Sequence, residues 1–519
     1  MALKSLFASM RGRHLPAATA ANREGAPAYA YGDRHALAQL AVTGTFGTVF
    51  YQTPEAQLAE TVLLAERVDP AFLARTAVYA RQKGQMKDMP AVLLAVLART
   101  DPVLFRQVFG RVVDNGKMLR TFVQVMRSGQ TGRKSLGTRP KAMVAGWLNG
   151  APDYALLQAA IGNDPSLADV LRMVHPKPAT AERGALFAWA VGKPCDVALL
   201  PPALRDWLAF KETGQGSVPD VPFQMLTQLP LNAEQWTEIA LRGSWQMVRQ
   251  NLNAFLRHGV FDRAEAVEAV AAKLRDPRLI AKARAFPYQL MVAARSVSAA
   301  MPQPIVAALN AAMEQAVANV PRVRGTVAVC PDVSGSMQSP VTGWRRGATS
   351  TVRFVDVAAL VAAAVLRQNP QAEVLPFDTR VRSARLRPRE GVARNAERLA
   401  LNGGGTACSA PLEHLERRGQ APDLVVLVSD NQSWVDARPG TWRGGTAVLR
   451  AWERLRQRNP KARLVCIDIA PYGTTQAVER ADIVNVGGFS DAVFTMLADV
   501  AAGRTGPDYW VAQIEATAL

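Results

Sequence analysis

The spacing of apolar side chains changes once along the chain, near residue 320. From about residue 34 to 318 apolar positions recur at intervals of three and four, the period of helices with one buried face. This spacing predicts helices over 54–66, 70–83, 90–99, 103–114, 117–127, 140–148, 154–161, 167–174 and 180–191. More are predicted over 233–242, 245–258, 263–274, 278–283, 287–299 and 304–320. Pro or Asp opens many of these segments, and Gly or Pro follows many of them. Strand-like alternation is scarce in this half. Many short helices in series predict an α-solenoid or a related helical array, although no exact repeat period is present.

Beyond Pro321 short apolar runs alternate with helical segments. Strands are predicted over 326–330, 373–377, 424–428, 464–469 and 483–486, and helices over 354–368, 395–400, 446–458 and 490–502. Such alternation over about 180 residues predicts a doubly wound parallel sheet. The expected fold class is therefore multidomain, α followed by α/β. The expected domains are 1–320, 321–505 and a tail, 506–519, without clear periodicity.

Composition narrows the class. Apolar residues are 49% and charged residues 20% of the 519, ordinary globular values that exclude a fibrous or mostly disordered chain. The longest unbroken apolar run, 357–366, is half the length a bilayer needs. The first 15 residues interleave Lys4, Arg11 and Arg13 with apolar residues and show no secretory core. Cys195, Cys330, Cys408 and Cys466 are far apart, with no CxxC pair. This usage points to a reducing, cytoplasmic setting without disulfides or structural zinc.

Charge separates the halves further. The net charge of +18 fits either a polyanion partner or an arginine-rich genome. Residues 1–320 hold 36 basic and 24 acidic side chains, net +12, and residues 321–519 hold 25 and 19, net +6. Within 102–150 Arg106, Arg111, Lys117, Arg120, Arg127, Arg133, Lys134, Arg139 and Lys141 face one acid, Asp114, for net +8. A concentrated patch is the electrostatic footprint expected of a nucleic-acid surface.

The sharpest chemistry is Asp332-Val333-Ser334-Gly335-Ser336, at the carboxyl end of the first predicted strand, the edge where open α/β sheets bind ligands. Gly403-Gly404-Gly405-Thr406 precedes a helical segment, and Ser429-Asp430 ends the strand 424–428. Three hydroxyls and two carboxylates from three loops are hard oxygen donors suited to Mg²⁺ or Mn²⁺. Ser334 and Ser336 are expected to ligate directly and Thr406 directly or through water. Asp332 and Asp430 are expected to hold ligand waters. Asp468 ends another strand at this edge, where it borders the metal or caps a loop. The three-loop constellation resembles the metal-ion-dependent adhesion site of von Willebrand factor A domains.

The helical half then carries an ordered series of segments. They are Gly44 to Tyr51, Ala77 to Arg81 with Pro90, Gly132-Arg133-Lys134 through Arg139-Pro140-Lys141-Ala142 with Trp147, Asp169 to Pro178, Arg249 to Leu252, and Lys282-Ala283-Arg284 with Pro287-Tyr288. With the adhesion-site domain behind them, they resemble the Ro ribonucleoprotein autoantigen family, a TROVE module joined to a von Willebrand A domain. The resemblance implies a ring of HEAT-like helix pairs, with a small noncoding Y RNA on the outer basic face. It also implies single-stranded 3′ ends of structured or misfolded RNAs in the central hole. Partners would be exoribonucleases such as polynucleotide phosphorylase, acting with a monomer in RNA quality control, processing and decay.

The implied RNA surface comprises Lys117, Arg120, Arg127, Arg133, Lys134, Arg139, Lys141, Arg172, His175 and Lys177. Tyr51 and Tyr79 could stack on bases or pack between helices. One departure stands out: family members often carry Asp after Gly-Gly-Thr, and here it is Ala407. The chain lacks HExxH, P-loop, nucleophile-elbow and dinucleotide fingerprints, so no enzymatic activity is expected. The competing expectation is a von Willebrand A adaptor serving a MoxR-type AAA+ ATPase in protein assembly or metal insertion.

Overall fold

The computed structural model describes residues 15–283, 285, 287–317, 320, 322–323, 325–344, 352–437, 444–488, 491–504 and 508–519. Arg284, Pro321, Ser490 and Gly506, each named above, and the first 14 residues lie outside them. The chain gathers into two compact units. One unites the residues up to Val68, Phe286–Val292 and Met313–Thr517, and the other Asp69–Ala285, Ala293–Ala312 and Ala518–Leu519. The change of hydrophobic period near 320 thus marks a change of secondary structure. Compactness divides the chain at Val68 as well.

The second unit is helical. Helices Pro70–Gln82, Asp88–Thr100, Pro102–Val112, Gly116–Arg127 and Thr138–Gly150 pack in series, Gly116–Arg127 against Asp88–Thr100 and Thr138–Gly150 against Pro102–Val112. Their starts are encoded locally. The Asp69 carboxylate accepts from Phe72 N and precedes Pro70. Asp101 accepts from Val103 N and Leu104 N and precedes Pro102. Such caps satisfy amides that the first turn leaves unpaired. Ser166 and Asp169 form a reciprocal box that opens helix Leu167–Val174. Phe105, Phe109 and Phe122 cluster with ring centroids 5.5–5.8 Å apart and bury the shared face. The helix expected over 245–258 is two, Trp245–Gln250 and Leu252–Arg257, because Asn251 leaves helical geometry between them. Helix Pro202–Thr213 is one that the apolar spacing did not predict.

The first unit holds two sheets. Their strands are β1 (Ala20–Ala21), β2 (Pro27–Ala30), β3 (Val327–Pro331), β4 (Glu373–Val374), β5 (Leu424–Ser429), β6 (Arg463–Asp468), β7 (Thr474–Thr475) and β8 (Ile483–Gly487). The larger sheet runs β4-β3-β5-β6-β8, and every neighbouring pair is parallel. Helices Phe354–Gln368, Val392–Leu399, Ala410–Arg417, Ala447–Arg458 and Asp491–Ala501 connect or follow the strands. Strands β3, β5 and β8 are buried throughout, the continuous apolar pattern of a sheet covered on both faces. Helix Phe354–Gln368 is buried from Phe354 to Leu366, which explains the long apolar run.

Residues 15–68 pack onto this α/β body. β2 pairs antiparallel with β7, placing Tyr29 opposite Thr475. Helix Asp33–Thr43 lies against β8, where a Cβ on Gly487 would meet the Gln39 amide at 2.2 Å. The tail contains helix Tyr509–Glu515 with Trp510 and Ile514 buried, an element its sequence did not reveal.

Candidate metal centre and candidate nucleic-acid interface

The strand order reverses between β3 and β5, the two strands whose carboxyl ends carry the serine and aspartate motifs. Switch points of this kind open a crevice between diverging connections. Asp332 N donates to Val428 O at 2.9 Å, and Val333 N to Phe377 O at 2.8 Å, which seats the motif between β5 and the chain following β4. Gly335 N donates to Gly404 O, and Gly403 N to Val333 O, each at 2.8 Å. These bonds stitch the serine loop to the glycine loop. A Cβ on Gly403 would lie 2.4 Å from Val333 O, and one on Gly405 would meet Trp434 at 2.7 Å. The glycines therefore serve close backbone approach.

Asp332, Ser334, Ser336, Thr406 and Asp430 are all buried. The Ser334 and Ser336 hydroxyl oxygens are 3.4 Å apart. Both Asp332 oxygens are engaged: Oδ1 accepts from Ser334 N at 2.8 Å, and Oδ2 from the Ser429 hydroxyl at 2.6 Å. Asp430 Oδ1 accepts from Gln432 N at 3.2 Å, while Oδ2 is buried without a hydrogen-bond partner. Asn431, beside it, has a left-handed backbone at φ 60°.

Burial pushes the Asp332 carboxyl up to about 6, against hydrogen bonds from Ser334 and Ser429 that pull it down. Burial, followed by the nearby Asp332 charge, pushes Asp430 up to about 8. Burial pushes Asp468 up to about 7. Three buried carboxyls that resist ionisation, two of them (Asp430 and Asp468) with an orphaned oxygen, mark a place where a cation relieves desolvated negative charge. Among the described residues no group of three or more His, Cys, Asp or Glu could by itself hold a metal, so hydroxyls must supply much of any ligand set. The donors fit a hard divalent ion.

These shifts predict a pH dependence. The folded metal-free protein holds protons on these aspartates that the unfolded chain, titrating at about 4, has released. The associated stability is complete below about pH 4 and is lost as pH rises through 6 to 8. Thermal unfolding in chelator is expected to show a falling melting temperature from about pH 5 to about pH 8. A flat or rising trend contradicts the assignment.

Three features of this edge escaped the sequence reading. Asp378, after β4, is buried, accepts from Gly404 N at 3.3 Å and pairs with Arg382 at 3.1 Å. Its backbone oxygen accepts from the amide of Ala407, at the position of the family's departure. The second feature is Tyr51. Its hydroxyl donates to Glu24 Oε1 at 2.6 Å, and its ring meets Tyr472 edge-on at 5.3 Å. Burial and Glu24 raise its pKa, and Asp430 and Ser336 lie within electrostatic reach. Tyr51 therefore borders the candidate metal centre instead of packing between array helices; Tyr79 is buried within helix Pro70–Gln82.

The third feature is an exposed aromatic rim. Trp434 and Val435 donate their amides to Thr406 O, Trp344 N donates to Thr48 O, and Phe50 stands against Tyr51. Phe50, Trp344 and Trp434 are 54%, 51% and 43% exposed. The N-terminal segment also holds the loop after β5, through Asn22 Nδ2 to Ser433 O at 2.6 Å and Arg23 N to Gln432 Oε1 at 2.8 Å. Only tertiary contacts bring these residues together, so no local signal could have found them.

In the helical unit, Arg133, Lys134 and Arg139 line one cavity of about 550 Å³ with Ser135, Gly137 and Thr138. Gly137, at φ 73°, precedes helix Thr138–Gly150 with no side-chain cap. Uncapped amides and the helix dipole favour an anion there. Lys117, Lys134, Arg139 and Lys141 are exposed. Lys87, outside the patch as read, lies near Lys117; burial first, and that like charge second, lower its pKa.

Other named residues are placed differently. Arg120 is half-buried, donates to Pro165 O at 3.1 Å and packs on Gly162, which commits it to holding that loop. Arg127 reaches Met173 Sδ, and Arg172 flanks Asp169 at 3.7 Å. His175 is the exposed left-handed cap of helix Leu167–Val174, and Lys177 is exposed just after it.

Comparisons with known proteins agree with this architecture. Residues 324–501 match the family model described as the Ro60 vWA domain. The chain is 24% identical over 522 aligned residues to the RNA-binding protein RO60 of Deinococcus radiodurans, covering 93% of this chain and 95% of that protein. The crystal structure of the Deinococcus radiodurans RO (RSR) protein superposes with a TM-score of 0.62 at 20% identity, over 91% of this chain and all of the other. The chain is thus similar to Ro proteins along nearly its whole length, and its α/β body is similar, over residues 324–501, to the Ro60 vWA domain.

Proposed function

We propose that this protein is an RNA-binding scaffold of the Ro type. The observation that carries the reading is the cavity formed by Arg133, Lys134 and Arg139 at an uncapped helix start, within the stretch 102–150 of net charge +8. Phosphates need donors and positive charge in this arrangement, and arginine can also stack on a base. The similarity to an RNA-binding protein along 93% of the chain supports it. In this reading a small noncoding Y RNA lies on the outer basic surface, with Arg172, His175 and Lys177 extending the contact. Single-stranded 3′ ends of structured or misfolded RNAs enter a ring cavity, and exoribonucleases act on them in processing and decay.

The metal centre is part of the same proposal. Ser334 and Ser336 would hold Mg²⁺ or Mn²⁺, Thr406 would bind directly or through water, and Asp332 and Asp430 would orient bound water. Bound metal would supply a Lewis-acidic position for a partner's oxygen. Hydroxyl-rich ligation suits recognition better than hydrolysis, which gathers several carboxylates around its ions.

The test is binding of RNAs with a duplex and a single-stranded 3′ tail, followed by gel shift across salt. Tight binding that weakens steeply with salt is expected. Absence of binding at moderate salt removes the reading. The exposed rim of Phe50, Trp344 and Trp434 beside the metal edge favours a second reading, the adaptor for a MoxR-type ATPase, since aromatic residues anchor protein interfaces. Co-purification with such an ATPase and without RNA would select it.

A further inference from the structure

The α/β body has a charge concentration of its own. Residues 379–398 carry Arg380, Arg382, Arg385, Arg387, Arg389, Arg394 and Arg398 against Glu390 and Glu397, net +5. That is most of the +6 excess of residues 321–519. The segment begins beside Asp378 at the candidate metal edge. It then folds back along residues 376–377, just past the edge strand β4: Val381 bridges Phe377 antiparallel, and Arg382 N donates to Pro376 O at 2.7 Å.

Its backbone is pinned. Asn395, buried, accepts from Arg387 N at 3.2 Å and donates to Arg387 O at 2.8 Å. Arg398 donates to Arg385 O at 3.2 Å, and Arg367 to Pro388 O and Arg389 O at 3.4 Å. Arg385, Arg387 and Arg389 are exposed, while Ala384 before them and Leu386 and Pro388 between them are half-buried. Alternation of this kind presents Arg385, Arg387 and Arg389 to one side, each about 6.6 Å from the next along an extended chain.

Ion pairing divides the set. Arg382 pairs with Asp378, and Arg387 and Arg398 pair with Glu390. Arg380, Arg385, Arg389 and Arg394 are exposed and form no ion pair among the described residues; Arg394 stands on helix Val392–Leu399, and the other three on the pinned segment before it. Three such guanidinium groups on a fixed backbone lose little conformational freedom on meeting a row of anions.

We propose that Arg380, Arg385 and Arg389 form a second contact for the phosphate backbone of single-stranded RNA, on the segment that follows β4. The proposal rests on the RNA-binding reading and adds a surface outside the helical unit. An acidic protein segment is the competing occupant. Protein interfaces rely on buried apolar anchors. None of the large exposed hydrophobic side chains among the described residues lies in 379–398. A phosphate chain needs charge alone.

The test compares four full-length proteins by fluorescence anisotropy with labelled oligouridylate across salt: wild type, Arg380→Ala/Arg385→Ala/Arg389→Ala, the corresponding triple lysine variant, and Lys134→Ala/Arg139→Ala/Lys141→Ala. The arginine-to-alanine variant is expected to bind more weakly. The slope of log affinity against log salt should flatten by about 0.7 for each phosphate that is no longer neutralised. The lysine variant, which keeps the charge, should retain most of the slope. If the arginine-to-alanine variant matches wild type in affinity and slope while the helical variant is weakened, the strip proposal fails and the RNA reading stands. If wild type itself does not bind, both fail. If the strip variant loses only binding to polyglutamate, the surface belongs to an acidic protein and the proposal is overturned.

Discussion

Replacing Lys134, Arg139 and Lys141 together by alanine is expected to weaken binding of single-stranded RNA by roughly one to two orders of magnitude at low salt. All three side chains are exposed, and two of them line the cavity in front of helix Thr138–Gly150. Nothing in the helix packing depends on their heads, so the variant should melt as wild type does. With up to three fewer phosphates neutralised, the salt slope flattens by about 2. Titration by anisotropy at several salt concentrations measures both effects. Unchanged affinity would remove the patch from the binding surface. Arg120→Ala is the informative contrast. Arg120 holds Pro165 O and packs on Gly162, so its removal should lower thermal stability without altering the salt slope.

Replacing Ser334 and Ser336 by alanine should abolish binding of Mg²⁺ or Mn²⁺ while leaving RNA affinity close to wild type. The two hydroxyls are motif donors 3.4 Å apart at the switch point. Without them the remaining donors are Thr406 and carboxyls whose ionisation burial opposes. Calorimetric titration with Mn²⁺ reads this change, and the metal-dependent rise in melting temperature should vanish with it. Asp430→Asn should also remove that rise. In chelator it should flatten the fall in stability with pH, because the residue with the highest of the three raised values no longer titrates. A folded double serine variant that no longer binds RNA would show that the two activities do not belong to separate parts of the chain.

Much of the architecture was legible in the sequence because it is encoded over short distances. Helix Leu167–Val174 and helix Phe354–Gln368 have the ends that their spacing predicts. Ser166 with Asp169 supplies the start signal in the first case, and an unbroken apolar run supplies the burial in the second. The parallel sheet was legible because β3, β5, β6 and β8 are short apolar runs bounded by loops of different composition. The serine motif, the glycine loop and Ser429-Asp430 were legible as one site because the rule for open α/β sheets places ligands at strand carboxyl ends.

The sequence by itself therefore determined the two kinds of secondary structure, the strand ends that carry the oxygen donors and the basic stretch around Lys134. Those are properties of local spacing and composition. Only the tertiary structure decided that residues 15–68 belong with the α/β body, because that depends on β2 pairing with β7 and on Gln39 filling the space above Gly487. It also decided that Tyr51 and Asp378 border the serine motif, and that Arg120 is committed to a loop while Arg380, Arg385 and Arg389 face solvent. Each of these outcomes turns on which partner a side chain meets across long stretches of sequence. Hydrophobic period and charge count carry no such information; burial and hydrogen-bond geometry do.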